Sequence, residues 1–126
     1  MQTFLFAGAV NGFIAVAMGA FAAHGLSDQL DERLLGVFKT GAEYQLTQAL
    51  VLIAVAFLVG KTPDAKSLRV SGWAFIAGLI LFPFSLYALA LTGINWLGAI
   101  TPLGGLCFLV GWAALAIYAF RHASDI

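Results

Sequence analysis

Polar side chains that could bind a ligand or transfer a proton cluster in one short stretch of this sequence, GAEYQLTQAL at residues 41–50. The stretch offers a carboxylate (Glu43), a phenol (Tyr44) and two amides (Gln45 and Gln48) between long runs of apolar residues. An ionisable or strongly polar group at membrane depth is a functional-site hypothesis by default, because its burial in hydrocarbon is expensive. These side chains are therefore the first candidates for binding a ligand or handling a proton.

Glu43 has two interpretations that the sequence leaves open. In the first, the segment TGAE at 40–43 is a capping box, in which the Thr40 side chain accepts a hydrogen bond from one backbone amide and Glu43 reaches back to another. A negative charge also suits the positive end of a helix. In the second, Glu43 forms an added hydrogen bond or ion pair with His24, which ends the preceding apolar run.

The remaining polar groups lie on one side of the predicted helix, because residues three and four apart share a helical face. They either bond between helices and fix the bundle, or line a small hydrated pocket that opens outward. Asn11, in the first apolar run, is a further amide of the same kind. The candidate pocket comprises His24, Glu43, Tyr44, Gln45, Gln48 and Asn11.

The composition identifies the elements that must position these groups. The chain has 126 residues, of which 62% are hydrophobic and 10% charged, and its mean hydropathy is +0.98. No Asp, Glu, Lys or Arg occurs from Val70 to Phe120. Since one bilayer crossing needs only about 20 apolar residues, this stretch is expected to cross twice. The apolar runs at 4–23 and 41–60 each supply one further crossing.

We therefore predict an all-α membrane protein with a single domain, a four-transmembrane-helix bundle. Continuous apolar runs favour helices over a barrel, whose strands would alternate. Between the first two spans, apolar residues at helical spacing with charges on the remaining face predict a short interfacial helix over 27–39. The predicted spans cover residues 4–23, 41–60, 70–91 and 98–120.

Small residues, among them Gly8, Gly12 and Gly19, form a stripe along the first span. Such a stripe is typical of closely packed membrane helices. Packing against the protein's own helices and formation of a homo-oligomer are the two interpretations. The sequence thus predicts a helix-packing role for these three glycines.

Loop charges predict the orientation of the bundle. Four of the basic residues near the span ends fall on the side of the N-terminus, the middle loop and the C-terminus: Lys61, Lys66, Arg69 and Arg121. The other side has Arg33 and Lys39 beside several acidic residues. The positive-inside rule then places both termini in the cytoplasm. The formal net charge of +0 gives no reason to expect nucleic acid as a partner.

Catalysis requires a nucleophile with a base, paired carboxylates or a metal set. Only His24 and Glu43 are expected to converge, and no Ser or second carboxylate is arranged with them. Cys107, the single cysteine, lies well inside the fourth span and is given no redox role. The sequence therefore predicts no enzymatic activity, no cofactor and no metal.

Several ordered motifs, GAFAAHGL, TGAEYQLTQAL, SLYALAL and ITPLGGLCFLVGWAAL, resemble the YgdD-like family of small four-span inner-membrane proteins. The resemblance covers nearly the whole chain and implies a bacterial inner-membrane location, but no reaction, because the biochemical function of that family is not established. Members often carry a histidine where this chain has Gln48. An amide neither titrates nor replaces imidazole as a metal ligand, so a two-histidine metal or proton site is not expected.

Two functions remain as expectations. The first is a non-catalytic accessory or assembly module of the membrane, surrounded by the lipid bilayer and docked on a larger membrane complex or in a homo-oligomer. The alternative is a bundle that binds or conducts a small molecule, proton or amphiphile through the outward polar pocket.

Overall fold

The fold was analysed in a computed structural model, which describes residues 2–122. It contains four long helices: α1 (Gln2–His24), α2 (Glu32–Lys61), α3 (Lys66–Thr92) and α4 (Thr101–Arg121). A short 3₁₀ helix, Asn95–Ala99, leads into α4. Within the described residues these four helices are long and apolar enough to cross a membrane, which confirms the predicted all-α, four-span bundle.

Each helix packs mainly on its neighbours in the chain, so α1 lies on α2, α2 on α3, and α3 on α4. This order follows from the short connections, which join antiparallel neighbours. The helices α2 and α4 make few direct contacts and lie on either side of α3. A groove therefore runs between them, with α3 as its floor.

The close approach of α3 and α4 depends on glycine. A Cβ atom on Gly104 would lie 2.6 Å from the backbone nitrogen of Phe82, a distance that neither helix can accommodate without moving. A Cβ atom on the next residue, Gly105, would meet nothing within 4 Å. The two neighbouring glycines thus mark the packed face of α4 and the face that borders the groove.

Of the three glycines predicted to pack in α1, only Gly8 lies against another helix, with its Cβ position 3.1 Å from the backbone oxygen of Ala49 in α2. At Gly12 and Gly19 an added Cβ would meet nothing within 4 Å. The structure thus leaves open space beside these two glycines and places neither in close contact with another of the described helices. They lie seven residues apart, and each is only partly exposed.

The separate interfacial helix predicted over 27–39 does not form. Residues 25–30 make a turn, and α2 begins at Glu32 and continues without a break through the second span. The side chain of Asp31 caps this start by accepting a hydrogen bond of 2.8 Å from the backbone nitrogen of Leu34. No proline interrupts the segment, and Gly36 and Gly41 cost a helix only about 1 kcal/mol each.

The apolar residues assigned to that interfacial helix pack against protein. Phe38 is fully buried in a cluster with Ala22, Leu26 and Tyr87 at the end of the bundle where α1 ends and α2 begins. Its ring lies 4.7 Å from that of Tyr87, measured between centroids. The extension of α2 is therefore held by the ends of α1 and α3, which explains why the helix continues beyond the span.

Candidate functional site

Two amides of α2 bond in different directions, and the first, Gln45, lies in the centre of the bundle. Its Nε2 donates to Oδ1 of Asn11 in α1 at 3.0 Å, and its Oε1 accepts from the hydroxyl of Tyr87 in α3 at 2.6 Å. The Asn11 amide nitrogen donates in turn to the backbone oxygen of Ala7 at 2.9 Å. We call the side chains of Asn11, Gln45 and Tyr87 the polar relay.

The polar relay joins three helices and is satisfied within the protein. Gln45 is completely buried, and the described residues contain no fully buried side-chain nitrogen or oxygen atom without a partner. Hydrogen bonds between membrane helices contribute about 0.6–2 kcal/mol each, and they restrict how the helices can slide past one another. The relay therefore fixes the register of α1, α2 and α3, as the first of the two interpretations of these amides proposed.

The second amide, Gln48, faces the opposite neighbour. Its Oε1 accepts a hydrogen bond of 3.0 Å from the indole nitrogen of Trp112 in α4. This bond crosses the space between α2 and α4, which otherwise make few contacts. The Gln48 and Trp112 side chains therefore form part of the wall of the groove, whose floor is α3.

The α2–α4 groove is an open depression with a volume of about 450 Å³. Aromatic side chains form much of its wall. The ring centroid of Phe82 lies 4.9 Å from that of Tyr44 and 5.4 Å from that of Phe108. The residues that line the groove are Tyr44, Gln48, Phe82, Pro102, Gly105, Phe108, Leu109 and Trp112.

The chemistry of the indole fixes the orientation of the Gln48 amide. An indole N–H can only donate, so the amide atom that faces it must be the carbonyl oxygen. The amide nitrogen then points away from Trp112 and, among residues 2–122, has no hydrogen-bond partner. Since no fully buried polar atom of the described residues is unpaired, this nitrogen must reach the groove surface.

The predicted pairing of His24 with Glu43 does not occur in residues 2–122. Asn11 bonds to Gln45, two residues from Glu43, whereas His24 lies 13 positions further along α1. At the usual helical rise the two side chains are roughly 15 Å apart along the bundle. The offset arises because α2 starts at Glu32, so that His24 lies beside the first turns of α2 and both side chains are exposed.

The predicted capping box at 40–43 is also wrong, because these residues lie inside α2. Thr40 donates its hydroxyl hydrogen bond to the backbone oxygen of Gly36 at 2.9 Å, the bond of a threonine within a helix. Asp31 provides the cap. The sequence signal was real but ambiguous, since a Thr-x-x-Glu pattern has the same spacing inside a helix as at its start.

The predicted outward pocket is therefore not one site. Gln45 and Asn11 lie in the polar relay, Gln48 and Tyr44 line the groove, and Glu43 and His24 are exposed and separate. Sequence reasoning missed Tyr87 and Trp112 as partners of the two glutamines. The signal available for both was a polar tip on an aromatic ring within an apolar span, which requires a partner when buried.

The arrangement supports hydrogen bonding to a bound molecule. In residues 2–122 no three His, Cys, Asp or Glu side chains approach closely enough to hold a metal ion. The groove instead offers an amide N–H donor, a phenol and aromatic faces. These groups can hold and orient an apolar molecule that carries a hydrogen-bond acceptor.

A comparison with protein families gives this arrangement its context. A family model described as "Protein of unknown function (DUF423)" matches residues 18–105. The chain belongs to this family. The DUF423 match spans the last seven residues of α1, all of α2 and α3, and the start of α4, so it includes the polar relay residues Gln45 and Tyr87.

Relatives of this DUF423 protein are membrane proteins. The chain is similar to the UPF0382 membrane protein YwdK of Bacillus subtilis (strain 168), with 43% identity over 97% of this chain and 99% of that relative. It is 44% identical to a UPF0382 membrane protein of Haemophilus influenzae, over 92% of each chain. No solved structure matches it. The protein is thus a multi-pass membrane protein of a family whose biochemical role is unknown.

Proposed function

We propose that this protein is a non-catalytic accessory or assembly module of the bacterial inner membrane, docked on a larger membrane complex through α1. The observation that carries the proposal is the open space beside Gly12 and Gly19, where an added Cβ would meet nothing within 4 Å. Glycine inside a helix costs about 0.5–1 kcal/mol relative to alanine. Contact with lipid does not offset that cost, whereas close packing of a second helix against the glycines does offset it.

The charge distribution supports an orientation with both termini in the cytoplasm. The start of α1, the end of α2, the start of α3 and the end of α4 lie at one end of the bundle. Lys61, Lys66, Arg69 and Arg121 belong to that end, and Lys and Arg concentrate on the cytoplasmic side of membrane proteins. We also propose that the YgdD-like family and the DUF423 family are one family.

The test is the composition of the protein after mild detergent extraction of a tagged chain from its native membrane. We expect a complex much larger than the 13.3 kDa chain, with fixed stoichiometry. A double variant, Gly12→Leu with Gly19→Leu, should release the chain from that complex. Gly105→Leu is the matched control, because it adds the same side chain at an open position on α4.

Two outcomes would contradict the accessory role. One is extraction of the wild-type chain alone or as a small homo-oligomer. The other is a complex that the double variant leaves intact, since this would show that Gly12 and Gly19 make no contact with a partner.

Binding of a small molecule or amphiphile is the second candidate function. The α2–α4 groove favours it through the unpartnered amide nitrogen of Gln48. The outward pocket predicted around His24 and Glu43 gives it no support, because the two side chains lie apart.

A further inference from the structure

The α2–α4 groove extends from near the middle of the membrane towards one boundary of the hydrocarbon core. Gln48 is 13 residues from Lys61 at the cytoplasmic end of α2, and Phe82 is 13 residues from Arg69 near the start of α3. Both distances correspond to about 20 Å at the usual helical rise. Since the hydrocarbon core is about 30 Å thick, Gln48 and Phe82 lie in the acyl-chain region, whereas Pro102, at the start of α4, lies near the opposite boundary of that core.

An unpartnered donor at this depth points to a ligand. Gln48 is only 6% exposed, yet its amide nitrogen reaches the groove without a hydrogen-bond partner among residues 2–122. An amide donor in hydrocarbon costs free energy, because no water is present to accept the bond. Tyr44, one helical turn away on the same face, adds a phenol that also borders the groove.

The depth of these donors selects among membrane molecules. The ester carbonyls of phospholipids lie at the boundary of the hydrocarbon core, whose half-thickness is about 15 Å, so their acceptors stay away from Gln48. A molecule that places an acceptor near the midplane must be apolar enough to dissolve in hydrocarbon. The neighbouring aromatic rings of Tyr44, Phe82 and Phe108, tilted relative to one another, further favour a ring over a flexible acyl chain.

We propose that the α2–α4 groove binds a planar, lipid-soluble carbonyl compound of the quinone class. One carbonyl oxygen accepts a hydrogen bond from the Gln48 amide nitrogen, and the ring packs between Phe82, Phe108 and the indole of Trp112. The groove volume of about 450 Å³ lies within the range of small-molecule sites, about 300–1,000 Å³. The apolar tail leaves through the open side of the groove into the bilayer.

The test uses Trp112 as the reporter. In the variant Trp73→Phe with Trp96→Phe, Trp112 is the remaining tryptophan of the chain, and it lines the groove. The purified protein in lipid nanodiscs is titrated with a benzoquinone that carries a decyl tail, and indole fluorescence is recorded. We expect saturable quenching that an excess of decylbenzene or palmitate does not relieve, because neither places a carbonyl acceptor at Gln48.

Three variants in the same background separate binding from collision in the membrane. Gly105→Leu fills the groove and should abolish saturable quenching, whereas Gly12→Leu adds the same side chain on α1 and should leave it unchanged. Gln48→Leu removes the donor and should weaken binding about tenfold, the effect expected of one hydrogen bond in a low-dielectric site. Thermal unfolding of each variant confirms that the bundle is intact.

Several results would overturn the proposal. Linear quenching that Gly105→Leu does not change would show that the quinone only collides with Trp112 from the bilayer. Equal competition by palmitate would identify the occupant as an acyl chain, and equal competition by decylbenzene would remove the role of the carbonyl. Because the assay uses the isolated chain, its outcome is independent of the accessory role tested by extraction.

Discussion

Gln45 and Gln48 are three residues apart on α2 and both are buried, yet the amide of Gln45 has partners for its nitrogen and its oxygen, whereas that of Gln48 has a partner only for its oxygen. Gln45 bonds within the polar relay, and the Gln48 oxygen accepts from Trp112. The pair Gly104 and Gly105 on α4 repeats this contrast, since the first contacts α3 and the second borders the groove. Residues of one type therefore fix the bundle on one side and leave a space on the other.

The contrast teaches that a polar stretch in a membrane helix need not form one site. Although the two residues share a helical face, Gln45 bonds to α1 and α3, and Gln48 bonds to α4. Each direction meets a different neighbour, so the two amides have different energetic roles. Stability measurements should separate the roles of these four residues.

Gly104→Ala should have the largest effect on stability. Its Cβ would lie 2.6 Å from the backbone nitrogen of Phe82, so α3 and α4 must separate. We expect a loss of about 3 kcal/mol in the free energy of unfolding, at the upper end for an overpacked core. Gly105→Ala, in open space, should leave stability unchanged or raise it by up to about 1 kcal/mol through helix propensity. Reversible unfolding in mixed micelles measures both.

A similar loss in both glycine variants would contradict the distinction between a packed and an open face of α4. A loss in neither would show that α3 and α4 do not approach as closely at Phe82 as the structure indicates.

Gln45→Leu should have the next largest effect. It removes the partner of the Tyr87 hydroxyl and of the Asn11 side chain, and a buried polar group without a partner costs about 1–3 kcal/mol. We expect a loss of about 2 kcal/mol. Gln48→Leu is the matched control and should cost less than about 1 kcal/mol, because only the Trp112 donor loses its partner, at the edge of the groove.

Tyr87→Phe tests whether the loss arises from the polar relay itself. Combined with Gln45→Leu, it should cost little more than Gln45→Leu alone, since both variants remove the same hydrogen bond. Additive losses, or equal losses for the two glutamine variants, would contradict the assignment of Gln45 to a structural relay and Gln48 to an open site.

The sequence was sufficient to predict the fold class because it depends on composition and run length. The long stretch without charge from Val70 to Phe120 requires two crossings by length alone. The start of α2 was not predictable in the same way. Apolar and charged residues at helical spacing from Leu30 to Lys39 indicate an amphipathic helix, but they do not show whether its apolar face meets lipid or protein.

The candidate site was predicted in part for a related reason. A side-chain amide in an apolar span needs a hydrogen-bond partner, and this signal alone identifies Asn11, Gln45 and Gln48. The identity of the partners depends on helix order and register, which the one-dimensional pattern does not contain. The sequence pairs His24 with Glu43 because the ends of two adjacent spans should meet. In the structure α2 begins at Glu32, before the predicted span, so the two side chains lie apart.

The most direct test of the central claim compares the two glutamine side chains in one NMR spectrum. The chain is labelled with ¹⁵N-glutamine in nanodiscs, and Gln45→Leu and Gln48→Leu assign the side-chain amide signals. On addition of the decyl benzoquinone, we expect the Gln48 amide signal to shift and the Gln45 signal to stay in place. A shift of the Gln45 signal, or no shift of either, would contradict a closed relay beside an open binding groove.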